Sequence, residues 1–278
     1  MDVVRVRDLA CGAPLAERLA YSAGSEPAPA REPGDAPYDP DAFVPRGAWR
    51  PLSPNELAQM SSSCNEPDAD DVLIIGLHEM VQAVRSTLRP APSELTALLS
   101  AARSAEFRCA LTDTVLDLEP YCREPEGIVY VGPSVSSPGQ RTVTVDRARE
   151  PRRRVGLHVD SWDAATPRER AGSRRRLCVN AGEGPRYLLF VAARVSSLAE
   201  RLEYIDMPVD GIATRFLRAH PDHPVVRVRI DPGEAYVAST EDLIHDGSTL
   251  GAMALDLALH FMGHFGATAD GDLVSPDR

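Results

Sequence analysis

The chain has 278 residues, a formal net charge of −11 and a sequence pI near 5.1. That length suits one large domain, or one domain with a small helical appendage, and allows a sizeable core. An acidic chain has no general attraction for phosphate backbones or anionic bilayers, so nucleic acid and membrane surfaces are poor partners.

All thirty basic side chains are arginine. With the alanine and proline load this fits the coding bias of a GC-rich bacterial genome. It also has a chemical consequence: any carboxylate anchor must be an arginine. The five cysteines are odd in number, widely spaced and without a CxxC, which speaks against a disulfide framework or structural zinc. The N-terminal residues lack the apolar core of a signal peptide, and no apolar run reaches membrane-spanning length. A soluble cytoplasmic protein is expected.

In chain order, residues 1–22 suggest a short strand, then a helix. Residues 23–55 are dense in proline and read as an extended arm or loop. SPNELAQMS carries a helix start signal with Ser53 or Asn55 as cap. The spacing of Leu73, Leu77, Met80, Val81 and Val84 predicts a helix over about 67–88, its acidic first turn matching the helix dipole. SELTALLSAARSAEF reads as a second helix. Beyond residue 126 come GIVYVGPS, RTVTVDR, RVGLHVDSW, RRLCVNAG, PRYLLFVAARV, HPVVRVRIDPG and EAYVAST, short β-branched runs between Pro and Gly. A helical insertion (SSLAERLEYI, GIATRFLRAH) interrupts them. The run TLGAMALDLALHFMGHFGA fits strand or helix. The expected fold is α+β: a mainly helical N-terminal part (1–125) and a jelly-roll core (126–278), integrated as one domain.

The central chemical signal is His158-Val159-Asp160. In a strand, residues two apart share a face, so His158 and Asp160 would project together. His245, well downstream in PGEAYVASTEDLIHDGST, is the candidate third ligand. Two histidines and one carboxylate on one face of an octahedral iron leave three positions open. The blander reading of His158 and Asp160 is a histidine hydrogen-bonded to a nearby acid. His260 and His264, at i, i+4, read as core or surface residues, His220 and His223 as solvated, and His78 as packed.

HVDSWD, then RRLCVNAGEGPRYLLFV, then DPGEAYVASTEDLIHDGS resembles the cupin-type core of the Fe(II)/2-oxoglutarate-dependent oxygenases, nearest the Jumonji-C and asparaginyl-hydroxylase branch. The resemblance covers roughly residues 128–265. It implies a double-stranded β-helix, Fe(II) held by His158, Asp160 and His245, and 2-oxoglutarate and O2 as co-substrates. Many relatives anchor the distal carboxylate on an arginine after the second histidine. Here no arginine follows His245 until Arg278. In the Jumonji-like branch the cation follows a glycine on the strand after HxD, which points to Arg186, with Arg176 as second choice. Asn180 and Thr144 are further candidates for cofactor contact. Trp162 and Arg154 are candidates for substrate contact at the mouth, and SWDAATPRERAGS for a lid. A carboxylate at Asp160 argues against a halogenase.

The expected function is therefore oxidation, by hydroxylation or a related outcome, of a C–H bond in an amino acid, peptide or natural product, within bacterial secondary metabolism. Two rival readings are a cupin metalloenzyme that needs no 2-oxoglutarate, and a metal-free jelly-roll module that binds an anion.

Overall fold

A computed structural model describes residues 4–266 apart from 11, 33, 62–70, 90, 147, 149 and 202–208. The N-terminal part holds β1 (Val6–Asp8), α1 (Leu15–Arg18), β2 (Leu19–Ser22), β3 (Ser25–Pro27), β4 (Phe43–Pro45), β5 (Trp49–Pro51) and α2 (Pro54–Met60). It continues with β6 (Val72–Gly76), α3 (His78–Ser86), α4 (Leu95–Ala101) and α5 (Ala105–Thr114). The second part holds β7 (Val129–Ser136), β8 (Val145–Asp146), β9 (Arg153–Arg154), β10 (Arg175–Asn180) and β11 (Arg186–Arg194). After these come α6 (Val195–Arg201), α7 (Val209–Ala219), β12 (Val225–Ile230), β13 (Glu234–Ala238), β14 (Leu243–Ser248) and β15 (Asp256–Gly263).

Two sheets form the core, ordered β1-β6-β13-β10-β15-β7 and β14-β11-β12-β2-β5. Ile74, Cys178, Tyr236 and Ala258 of the first pack against Leu19, Leu188, Phe190, Val228 and Leu243 of the second. The outer face of the first sheet (Leu73, Leu177, Val237, Leu259) is covered by Met80, Val84, Leu98 and Phe107 of α3–α5. The outer face of the second (Leu189, Val191, Ile244) is covered by Leu198, Ile212 and Phe216 of α6 and α7. The molecule is an α+β protein with a jelly-roll core, as expected.

The helix expected over about 67–88 is corrected. Residues 67–70 lie outside the described residues, Val72–Gly76 form a strand, and only His78–Ser86 are helical. The strand wins because it is buried on both faces. Val72 and Ile74 enter the space between the sheets, while Leu73 and Ile75 face the helical layer. A doubly buried strand reads as an apolar run, which periodicity alone does not separate from a helix. The C-terminal apolar run resolves as strand β15. Helix α2 has the capping box that its sequence promised: Ser53 Oγ accepts from Glu56 N–H, and the Glu56 carboxylate accepts from Ser53 N–H at 2.8 Å.

The proline-rich arm is ordered and packs behind the HxD segment. Arg154 is fully buried there. It donates to the carbonyls of Ala36 (2.8 Å) and Glu32 (3.2 Å) and stacks over Tyr38 at 3.8 Å. Gly156, at φ +69°, lets the chain pass the arm: a Cβ would lie 2.4 Å from the Phe43 carbonyl oxygen.

Candidate metal centre

His158 and His245 face each other across an isolated antiparallel bridge. His158 N–H donates to the His245 carbonyl at 3.0 Å, and His245 N–H to the His158 carbonyl at 2.7 Å. This reciprocal pair fixes the two side chains as direct neighbours, with ring centroids 4.7 Å apart. Asp160, two residues on, is held by its N–H to the Thr240 carbonyl at 3.1 Å. His158 Nε2 lies 3.6 Å from Asp160 Oδ1, and His245 Nε2 lies 3.6 Å from Asp160 Oδ2. One ligand atom from each of the three lies within 4.8 Å of the other two.

The imidazoles are oriented by the backbone. Nδ1 of His158 lies 2.8 Å from the Gly156 carbonyl oxygen, and Nδ1 of His245 lies 3.0 Å from that of Leu243. A carbonyl only accepts, so each Nδ1 carries the hydrogen, and the Nε2 of the neutral imidazole is the one that presents a lone pair. Those two Nε2 atoms are buried without a hydrogen-bond partner, and Asp160 Oδ2, likewise buried, is met by the Arg176 guanidinium at 3.0 Å. Buried polar atoms are rarely left orphaned in native proteins. Two such imidazole nitrogens converging with a carboxylate oxygen fit a divalent first-row metal.

The electrostatics favour deprotonation at Asp160 and His245 and oppose it at His158. Burial would raise Asp160, but Arg176, His158 and His245 outweigh it and hold the carboxyl well below its usual range. Burial pushes His245 down to about 3, with the charges of His158 and Arg176 adding to it against Asp160. At His158 burial is overcome by Asp160 and Asp246, so its imidazolium is favoured. The side chains of His158 and Asp160 are 18% and 11% exposed and that of His245 is 3%, so the centre opens to solvent on the His158–Asp160 side.

Arg176 is drawn into this group. Its Nη2 lies 3.0 Å from Asp160 Oδ2, and its guanidinium sits 5.2 Å from the centroid of Trp162, which is half exposed. Arg186 lies deeper, on the inward face of β11, fully buried. A Cβ on Gly247 would meet Arg186 Nη2 at 3.1 Å and Val143 at 2.9 Å. Gly247 shares a strand face with His245, about 7 Å away along β14. The missing side chain thus lets the guanidinium and Val143 lie close against the backbone of β14. Arg186 Nε and Nη1 have no hydrogen-bond partner, and its closest counterion is Asp256, 3.4 Å away.

Four sequence expectations do not fit this geometry. Asn180 donates to the carbonyls of Gly184 (3.0 Å) and Ile230 (2.9 Å) and accepts from Gly182 N–H (3.0 Å). Its amide closes the β10–β11 turn and offers nothing to a cofactor. Arg154 is locked beneath the arm and is not at the mouth. Thr144 reaches the site indirectly: its hydroxyl donates at 2.8 Å to Asp246 Oδ1, whose Oδ2 lies 3.8 Å from His158 Nδ1. The loop after Asp160 is pinned, since Arg170 donates to the Asp160 carbonyl at 2.8 Å and Asp163 pairs with Arg174. Sequence reasoning passed over Asp246, Tyr236 and Gly247. Only Asp246, adjoining His245, carried a local signal. A surface groove of about 520 Å3 between α3, α4 and the loop before β15 lies at the other end of β10 and does not touch the triad.

No protein-family model and no curated protein matches the sequence. Among solved structures the chain is similar to HygX from Streptomyces hygroscopicus with nickel and 2-oxoglutarate bound. That alignment has 15% identity, covers 77% of this chain and 88% of that one, and has a TM-score of 0.36. It is also similar to the Kdo hydroxylase KdoO, a non-haem Fe(II) alpha-ketoglutarate-dependent dioxygenase in complex with cobalt(II). Here the identity is 16%, the coverage 74% and 82%, and the TM-score 0.33. At those scores the functional reading rests on this chain's own residues. Fold and donor set together define a candidate mononuclear metal centre inside a jelly roll. No described helix is long and apolar enough to cross a membrane.

Proposed function

We propose that the chain is an Fe(II)- and 2-oxoglutarate-dependent oxygenase acting in the bacterial cytoplasm on a C–H bond of a small molecule, amino acid, peptide or natural product. The observation that carries this is the convergence of His158, Asp160 and His245, with both imidazole Nε2 atoms buried and unpartnered. When bound, iron with a 2-oxo acid and O2 supplies the oxidising power. The chain supplies the rest. Gly156 and Leu243 fix the imidazole tautomers. Arg176 neutralises Asp160 from its Oδ2 side. Arg186, whose Nη2 borders Gly247 and whose Nε and Nη1 are unsatisfied, suits the distal carboxylate of 2-oxoglutarate. Trp162 stands at the exposed rim, where a substrate would enter.

The oxygenase reading also treats residues 1–125 and 126–278 as one integrated domain. In its support, β1 and β6 extend one core sheet and β2 and β5 the other. Arg18 of α1 is buried against Glu234 of β13 at 2.6 Å.

The test is an anaerobic titration of the protein with Fe(II) and 2-oxoglutarate, followed by the visible charge-transfer band of the chelate. The band is expected in the natural protein and absent in His158→Ala and Arg186→Ala. One observation favours a second reading: Asp256 already neutralises Arg186. A metalloenzyme that needs no 2-oxo acid would bind iron and show no band.

A further inference from the structure

Arg186 and Asp256 form an incomplete pair. They are 2% and 5% exposed and 3.4 Å apart. Yet both oxygens of Asp256, and Nε and Nη1 of Arg186, lack any hydrogen-bond partner. The charged and titratable groups facing Arg186 are Asp256 from β15, Cys178 from β10, Tyr236 from β13 and Asp246 from β14. The charge facing Asp256 is Arg186 itself; Ser136 of β7 lies opposite it in register. Arg176 faces Cys178 and Tyr236 from the metal end. Cys178 and Tyr236 are both pushed up by burial and stay neutral.

The interior charge is then countable. Asp160, Asp246 and Asp256 contribute −3, and Arg176 and Arg186 contribute +2. A divalent metal brings the sum to +1. A monoanionic 2-oxo acid closes it to zero. A dianionic one leaves −1 in a dry interior, which is unfavourable unless a carboxylate takes up a proton. Asp160 is held ionised by Arg176 and the histidines. Burial raises Asp246 as well, but its Oδ1 accepts from Thr144 Oγ1 and from the N–H groups of Thr144 and Gly247, and its Oδ2 faces His158 at 3.8 Å. Asp256 has nothing but Arg186.

Resting on the oxygenase reading, we propose that Asp256 is a specificity determinant of the co-substrate site: a dicarboxylic 2-oxo acid takes Arg186 only as Asp256 picks up one proton from solvent. A monocarboxylic 2-oxo acid leaves the Arg186–Asp256 pair intact and needs no proton. Burial already raises the Asp256 carboxyl above its usual range, which eases that protonation. Losing Arg186 to the ligand raises it further. Asp256 then binds its proton more tightly in the complex than in the free protein, so dicarboxylate affinity falls as pH rises through that window.

The experiment is calorimetric titration of the full-length, Ni(II)-loaded protein with 2-oxoglutarate and with 2-oxobutyrate between pH 6 and 8.5. It is run in two buffers of different ionisation enthalpy. The natural protein is expected to take up about one proton per 2-oxoglutarate, with affinity falling up to about tenfold per pH unit, and none per 2-oxobutyrate. Asp256→Asn is expected to lose both the uptake and the slope and to bind 2-oxoglutarate more tightly at pH 8. The comparison of the two acids on the natural protein decides the matter even if the variant fails to fold. Equal proton uptake for both acids, or an unchanged slope in Asp256→Asn, would overturn the role of Asp256 and leave the oxygenase reading standing. Nickel binding with no response to either acid, in either protein, would overturn the oxygenase reading and this one with it.

Discussion

Replacing His245 by leucine tests the metal centre through stability. In the metal-free protein the Nε2 of His245 is buried and unpartnered, and burial pushes its imidazolium down to about 3. An unsatisfied buried polar group costs about 1–3 kcal/mol. Leucine is close in volume and removes that atom, while forfeiting the Nδ1–H bond to the Leu243 carbonyl, a net loss of about 1 kcal/mol. The two changes roughly cancel. His245→Leu should therefore unfold in urea, without metal, within about 1 kcal/mol of the natural protein or above it. Metal separates the two. Nickel at one hundred times its dissociation constant stabilises a protein that binds it only when folded by about 2.7 kcal/mol. For a chain of this size that raises the melting temperature by roughly 5 °C. The natural protein should show this shift and His245→Leu should not. A metal-free variant weakened by more than about 3 kcal/mol, or one that keeps the nickel shift, would show that His245 is a structural core residue.

Other expectations follow from the same geometry. Metal must displace the proton of His158, which Asp160 and Asp246 hold above its ordinary value. Nickel affinity should thus fall as pH drops through and below the neutral region, by up to about tenfold per unit, with proton release measurable by calorimetry. Arg154→Met should cost about 3–5 kcal/mol in urea unfolding and leave nickel affinity unchanged, because it strips a buried guanidinium from the arm; a selective loss of substrate binding at full stability would contradict this. Asn180→Ala should destabilise by about 2–4 kcal/mol, since three turn-closing hydrogen bonds are lost, with 2-oxo acid affinity intact. Gly247→Ala should keep nickel binding and weaken 2-oxoglutarate binding at least about tenfold, because the new Cβ presses on Val143 and displaces the Arg186 guanidinium; unchanged affinity would move the co-substrate elsewhere.

Much of the candidate site was legible in the chain. The period-two spacing of His158 and Asp160 is a local property, and it survives although these residues lie in an isolated bridge and not in a long strand. The β-branched runs of β10–β13 and the capping box of α2 are likewise written in neighbouring residues. A lysine-free composition left arginine as the one cation for a carboxylate, and Arg186 indeed sits buried on an inward face.

What tertiary structure alone decided are the roles that depend on a distant partner. Val72–Gly76 has an apolar pattern that suits helix and strand equally, and insertion between β1 and β13 settles it as strand. Arg154 and Arg176 look alike in sequence, each in an arginine cluster beside the HxD segment. One is buried beneath the proline-rich arm and the other pairs with a metal-ligand candidate, because burial and counterion come from segments far along the chain. Asp256 carries no local signal at all. Its significance arises when β11 and β15, nearly seventy residues apart in the sequence, place its unsatisfied carboxylate against Arg186. Local spacing determines which side chains share a face; only the packing of two sheets determines which charges must share an interior.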